Sequence, residues 1–398
     1  MYGNLAILSL FLFIYSIVSG GLARTPINGA LVFTAFGFVC GPLVLNLLKP
    51  DVTAEGLRTI AELTLAFVLF TDAAKSNLGA NRKTFRMPQR LLLIGLPLTI
   101  LLGFGVGMVL FKGLSLLEVA ILATLLAPTD ASLGKAVVSD ESVPSEIREG
   151  LNVESGLNDG ICVPVLFVFL ALAVEGAAAE GGSPMWVLKL VAEEIGIGVV
   201  VGSVLGIIGS LLIRLFALRG WFTESWRQLP VVAMAVCCFA TAQSLGGSGF
   251  IAAFIGGLMF GRSKTEDKHG LLLAAEGTGD VFALLTWVIF GAAVVGRSLG
   301  VLTWQVILYA VLSLTLIRML PVLLSLAGTK IRTDEKLFVG WFGPRGLASI
   351  VFALIVFHAD LPGGHTITMT AVATVVLSVI AHGISANPLV NRLAARTM

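Results

Sequence analysis

The sequence is short of charge. Only 13% of its residues are Asp, Glu, Lys or Arg, against roughly 25% in a soluble globular domain, which excludes a water-exposed globular fold. Cysteine is scarce too. Cys40, Cys162, Cys237 and Cys238 lie inside apolar runs with no metal-ligand spacing, so they read as small buried hydrophobes. The four histidines, His269, His358, His365 and His382, show no spacing that favours pH sensing and read as loop or interface residues. A net charge of +2 is too small to suggest a nucleic-acid partner. No nucleophile–base pair or metal cluster stands at usable spacing, which disfavours an enzyme, and no cofactor is expected.

What the chain does have is one apolar run after another. Hydrophobic residues make up 57%, and the mean hydropathy is +0.96. Runs near 20 residues match the ~30 Å hydrocarbon core of a bilayer. The expected fold is an all-α polytopic membrane protein of about thirteen transmembrane spans, at 5–22, 27–48, 57–76, 89–112, 115–138, 148–176, 185–215, 228–246, 248–262, 270–296, 301–328, 336–358 and 365–390. The first run, "MYGNLAILSLFLFIYSIVSGGLAR", lacks a basic n-region and an A-x-A cleavage site and is taken as span 1 rather than a signal peptide. A single transmembrane domain over 1–398 is expected, with no soluble domain and only the tail "NRLAARTM" after the last span.

Basic residues alternate between loops. Arg24, then Lys75, Arg82, Lys83, Arg86 and Arg90, then Lys135 and Arg148, then Arg214, Arg219 and Arg227 fall on one side. The same side takes Arg262, Lys264 and Lys268, then Lys330, Arg332 and Lys336, and finally Arg392 and Arg396. The opposite side has only Lys49, Arg58, Lys112, Lys189 and Arg297. By the positive-inside rule the N-terminus is outside and the C-terminus cytoplasmic, in the cell (inner) membrane, with an odd number of spans. The spans divide into two six-helix halves of opposite orientation, about 1–180 and 225–398, linked by span 7 at 185–215. Inverted repeats of this kind mark secondary transporters, whose site lies where matching helices are interrupted. Span 5 contains "LLAPTDASLG" and span 12 "GWFGPRGLAS", each with a central proline, Pro128 and Pro344, beside a charge, Asp130 and Arg345. Proline removes an amide donor and frees a carbonyl, which lipid tolerates only where backbone is buried in protein or lines a cavity.

A charge at mid-membrane costs about 2.5–3.5 kcal/mol and is as a rule functional or paired. The candidates are Asp72, Asp130, Glu154, Asp159, Arg318 and Arg345. Ser155 and Asp159, four residues apart, share a helix face, with Glu154 and Asn158 on the adjacent stripe. Hard cations take oxygen ligands of this kind, and carbonyls freed near Thr129 would add more. Asp159 is the principal candidate to bind either a cation or a proton; capping or pairing within the bundle is the structural alternative. Arg318 cannot shed its proton and is expected to pair with Glu154. Asp130 and Arg345 are expected to offset half-helix dipoles at the crossing, although for Asp130 structural and functional roles weigh equally. Asp72 is either an acid guarding the inner entrance or an interfacial residue.

The motifs "APTD" (127–130), "NVESGLNDG" (152–160), "IRMLPV" (317–322) and "GPRGLASIVFAL" (343–354) resemble, in order and spacing, the monovalent cation:proton antiporter family, in its NhaP-like and sodium/proton-exchanger branch. The resemblance implies an NhaA-like fold with spans 5 and 12 crossed, a homodimer, and elevator-type movement of a core domain. It further implies that Asp159 is the exchanging carboxylate, with Asn158, Ser155, Thr129 and Asp130 as its neighbours, and Glu154–Arg318 as a core salt bridge. An Asn–Asp pair implies electroneutral exchange. On helix 3, archaeal relatives have glutamate where this chain has the shorter Asp72, and no long cytosolic tail like that of many relatives is expected. Na⁺ is favoured for a compact oxygen site, with K⁺ and Li⁺ as alternatives. The rival readings are a sodium-coupled organic-anion symporter on the same fold and a transport-silent sensor or channel subunit.

Overall fold

In a computed structural model, the structure describes residues 2–22, 25, 28–48, 54–76, 86–130, 133, 137, 140, 142–178, 184–223, 225–263, 268–295 and 302–397. Of the residues used above for orientation, Arg24, Lys49, Arg82, Lys83, Lys135, Lys264 and Arg297 lie outside these, as do the side chains of Arg58, Lys268, His269 and Arg396. Among the described residues the regular structure is helical throughout. The helices are α1 (Tyr2–Leu22), α2 (Gly29–Cys40), α3 (Ala54–Lys75), α4 (Arg86–Leu110), α5 (Leu116–Leu125), α6 (Ser145–Ala178), α7 (Pro184–Leu218), α8 (Leu229–Ser244) and α9 (Gly249–Arg262). They continue with α10 (Lys268–Ile289), α11 (Trp304–Ser325), α12 (Thr333–Trp341), α13 (Leu347–His358) and α14 (Gly364–Thr397). Seven of them are long and apolar enough to cross a membrane.

Their outer faces carry large apolar side chains such as Phe13, Leu101, Val109, Leu211 and Trp304, as lipid-facing helices do. Polar residues cluster inside instead, where Thr129, Glu154, Asn158, Asp159, Arg318 and Arg345 are all buried. Helix starts are fixed by side-chain caps: Asn28 accepts from Leu31 N at 2.8 Å, and Ser115 with Glu118 forms a reciprocal capping box at α5. Glu118 reaches further, accepting Gly363 N at 2.5 Å, so one buried carboxylate joins the α5 start to the turn before α14.

The spans are not uninterrupted helices. The second span is helical only to Cys40; Gly41 precedes Pro42, a position disfavoured for helix, and the N–H groups of Leu47 and Leu48 fold back onto the Cys40 carbonyl. Span 11 is interrupted at Thr315, with φ −109° and ψ −94°, three residues before Arg318. Span 12 is interrupted around Pro344 as expected, being two helices with an extended joint at 342–346. Single π-turns sit at Leu91–Gly95 in α4 and Phe290–Val295 after α10. The glycine-rich stretch after α8 is a turn, with Gly246 at φ 76°.

Without water to squeeze out, helices in lipid associate through close packing and small residues. Gly202 of α7 lies against α9 so tightly that a Cβ there would stand 2.9 Å from the Ala252 Cα. Gly202→Leu is therefore expected to lower the stability of the purified protein by about 1–3 kcal/mol through overpacking. Thermal unfolding in detergent measures this, with Gly196→Leu, where the same Cβ meets nothing within 4 Å, as the control.

Candidate functional site

Two broken helices meet at the centre. α5 ends at Leu125, the last helix-type bonds come from the Leu126 and Ala127 amides, and 128–130 run on without regular structure; Pro128 offers no amide hydrogen. Opposite lies the joint 342–346, with Pro344. The two backbones bond directly, Asp130 N to Pro344 O at 2.8 Å.

Each break supplies the charge that the other needs. The buried Arg345 Nη1 donates to the carbonyls of Ala127 and Pro128, the latter at 2.9 Å, where the end of α5 carries negative dipole. Asp130 Oδ2 accepts Leu347 N at 2.9 Å, at the positive start of α13. Ser349 Oγ adds a bond to the Leu125 carbonyl at 2.9 Å. Gly346 has no Cβ because one would stand 2.7 Å from the Asp130 Cβ.

α6 is tied to this crossing through Thr129. Ser155 Oγ donates to the Thr129 carbonyl at 2.5 Å, and Asn158 Nδ2 to the Thr129 hydroxyl at 2.7 Å. One turn earlier, Glu154 receives both Nη groups of Arg318 at 2.7 and 2.8 Å. This pair is almost wholly buried, with side-chain exposures of 2% and 3%.

Asp159 is only 6% exposed, and its Oδ1 is buried with no hydrogen-bond partner. The Asn158 Oδ1 is likewise without one. Asp130, Asp72 and Glu154, with Arg345, make up its electrostatic surroundings. The oxygens gathered here — Asp159, Asn158 Oδ1, Ser155 Oγ and the Thr129 carbonyl and hydroxyl — are a donor set for a small hard cation. Asp72 approaches from α3, close enough that a Cβ on Gly156 would stand 3.0 Å from the Asp72 Cβ. One turn beyond it, Lys75 is paired with Glu276 of α10 at 3.1 Å.

Two expectations need correction. His382 is not at a loop or interface: it is 1% exposed within α14, with Nε2 2.8 Å from the Trp341 carbonyl and Nδ1 beside the Ser378 hydroxyl and carbonyl. Spacing relative to Ser378 and Ser385, at i−4 and i+3 on one helix face, was the available signal. Cys237 is exposed on α8 while Cys40, Cys162 and Cys238 are buried; adjacent residues on one helix cannot face the same way. His365 is exposed and His358 half-buried.

Removing one partner of a buried pair leaves an uncompensated charge. Arg318→Ala is expected to cost about 3–5 kcal/mol, and the double change Glu154→Leu with Arg318→Met markedly less. Thermal unfolding in detergent reads both; a double variant as damaged as the single would contradict this account of the pair.

A model of the family described as "sodium/hydrogen exchanger, transmembrane" matches residues 7–392. The K⁺/H⁺ antiporter NhaP of Alkalimonas amylolytica is 26% identical over 392 residues, covering 97% of this chain and 66% of that protein. A probable Na⁺/H⁺ antiporter of Schizosaccharomyces pombe is 27% identical over 355 residues, covering 83% and 46%. The chain thus spans between 46% and 66% of the length of these two relatives. The solved structure of the sodium proton antiporter MjNhaP1 from Methanocaldococcus jannaschii superposes with a TM-score of 0.79 at 23% identity, covering 98% of each chain, a likeness of fold.

Proposed function

The chain belongs to the sodium/hydrogen exchanger family, and from that premise we propose that it exchanges a monovalent cation for H⁺, with Asp159 binding the two in turn. The observation that carries this reading is the partnerless Asp159 Oδ1, beside Glu154 and Asp130, whose charges are met by Arg318 and by the Leu347 amide. A buried carboxylate without donors must take up either a proton or a cation. With a cation bound, Ser155, Asn158 and Thr129 supply the neutral oxygens; with a proton bound, the carboxyl is neutral and needs none of them. Both loaded states carry the same net charge, so exchange is electroneutral. Asp130 serves the crossing and lies beside the site; Asp72 guards its cytoplasmic entrance.

The compact oxygen set favours Na⁺, with K⁺ and Li⁺ as the alternatives; the similar proteins include both Na⁺/H⁺ and K⁺/H⁺ antiporters. The remaining parts of the proposal are a thirteen-span inverted-repeat arrangement with the N-terminus outside, and a homodimer in the cell membrane. Alternating access then comes from elevator-type movement of the body that holds the crossing.

Proteoliposomes containing an internal pH dye test the exchange. An imposed ΔpH is expected to collapse on addition of NaCl, more weakly with KCl or LiCl, and not with choline chloride, and to do so with the membrane potential clamped. Asp159→Asn is expected to reduce the response to the protein-free baseline. A well-folded native chain that answers to no cation would sink the proposal.

A further inference from the structure

His382 is buried, yet nothing in the exchange cycle uses it. α14 presents Ser378, His382 and Ser385 on one face, and all three grip the joint between α12 and α13. Ser378 Oγ accepts Arg345 N at 2.7 Å. His382 Nε2 lies 2.8 Å from the Trp341 carbonyl. Ser385 Oγ accepts the Trp341 indole N–H at 2.8 Å, and the indole packs on the imidazole with ring centroids 5.1 Å apart. Trp341 ends α12, and its carbonyl, free of the helix ladder, also accepts Gly343 N at 2.8 Å.

The other ring nitrogen, Nδ1, lies 2.9 Å from the Ser378 carbonyl and 3.2 Å from its hydroxyl. Carbonyl oxygens only accept, and a neutral imidazole has one N–H. With that hydrogen on Nε2 for Trp341, Nδ1 must accept, and the Ser378 O–H is the donor beside it. The serine is then fully used: its oxygen receives Arg345 N and its hydrogen goes to His382. Protonating the ring puts a hydrogen on Nδ1, which turns the serine hydroxyl away and brings a positive charge toward Arg345.

We propose that His382 is a proton-sensitive positioning residue: its neutral ring, with Ser378, holds the α12–α13 joint and thereby Arg345, and protonation loosens that hold and slows exchange. The charged groups facing it are Arg345 of the joint and Arg318 of α11, the latter paired with Glu154 of α6. The other helices packed on α14 add Glu118 of α5, held by Gly363 N, His358 at the far end of α13, and Asp334, Glu335 and Lys336 at the start of α12. α14 itself has no acid. Among the described residues no carboxylate stands against the ring; the neutral ring receives the Ser378 hydroxyl, whereas the charged ring donates to the Trp341 and Ser378 carbonyls, which releases that hydroxyl and sets the imidazolium against Arg345. The inference rests on the antiport reading.

The test is the pH profile of exchange in proteoliposomes of the full chain at saturating NaCl, for the native protein, His382→Gln and Ser378→Ala. A glutamine amide can donate to Trp341 and accept from Ser378 but does not titrate near neutrality. His382→Gln is expected to keep the rate at about pH 8 within about twofold of native, while the ratio of the rates at about pH 8 and about pH 5.5 shrinks about fivefold. Ser378→Ala, which removes the switching hydroxyl, is expected to flatten the same ratio. Competition of protons with cations at Asp159 is common to all three and drops out of the comparison. A His382→Gln ratio equal to native overturns the proposal. If that variant is not recovered folded, an unchanged ratio in Ser378→Ala overturns it instead. A native protein with no cation-dependent exchange at either pH overturns the antiport reading and this inference together.

Discussion

The structure depends on how two interrupted helices satisfy each other's backbone. In hydrocarbon a freed carbonyl or amide has no water to turn to and costs several kcal/mol. Leu125, Ala127, Pro128 and Thr129 leave such carbonyls, and each is taken: by Ser349, by Arg345 twice, and by Ser155. The start of α13 leaves amides, and Asp130 takes that of Leu347. The signs are right as well, a guanidinium at a helix end and a carboxylate at a helix start. Neither break is stable in isolation; together they make an ordered, non-helical centre whose polar atoms point at α6.

That arrangement sorts the acids. Glu154 is neutralised by Arg318, Asp130 by the start of α13, and Glu118 by the Ser115 and Gly363 amides. Asp159 keeps a buried oxygen with no donor. A carboxylate buried this way is unfavourable until a charge arrives, and the physics does not distinguish whether a proton or a metal ion supplies it. Thr129 sets the position of this group indirectly, since its carbonyl and hydroxyl hold Ser155 and Asn158, the residues one turn and one step before it on α6.

Much of this was legible in the sequence because membrane burial makes charge conspicuous. Six ionisable residues in apolar runs led to the crossing and to Asp159, and the prolines at 128 and 344 located both breaks. What could not be read follows from the same reasoning. The interruption at Thr315 has no proline or glycine at the break to announce it. The end of α2 at Cys40 was overridden by hydropathy, because the segment beyond Gly41 and Pro42 is as apolar as the helix. His382 was missed because a neutral imidazole in an apolar run looks like any other tolerated residue; only its distances to Trp341 and Ser378 show that both ring nitrogens are spoken for. Hydropathy registers where charge sits, not which backbone atoms a side chain has to satisfy.

The contacts around α6 differ in kind from one side to the other. Toward the break after α5 and toward α11 it is joined by bonds with exacting geometry: Ser155 and Asn158 to Thr129, and Glu154 to Arg318, over whose guanidinium Gly343 packs. Toward α3 and α9 it presents Gly156 and Gly160, against which lie Asp72 and the ring of Phe254. The Phe254 ring fills the place that a Gly160 Cβ would take, so on this side α6 is held by close apolar packing rather than by hydrogen bonds. The change from polar bonding to bare glycine falls within one turn of Asp159.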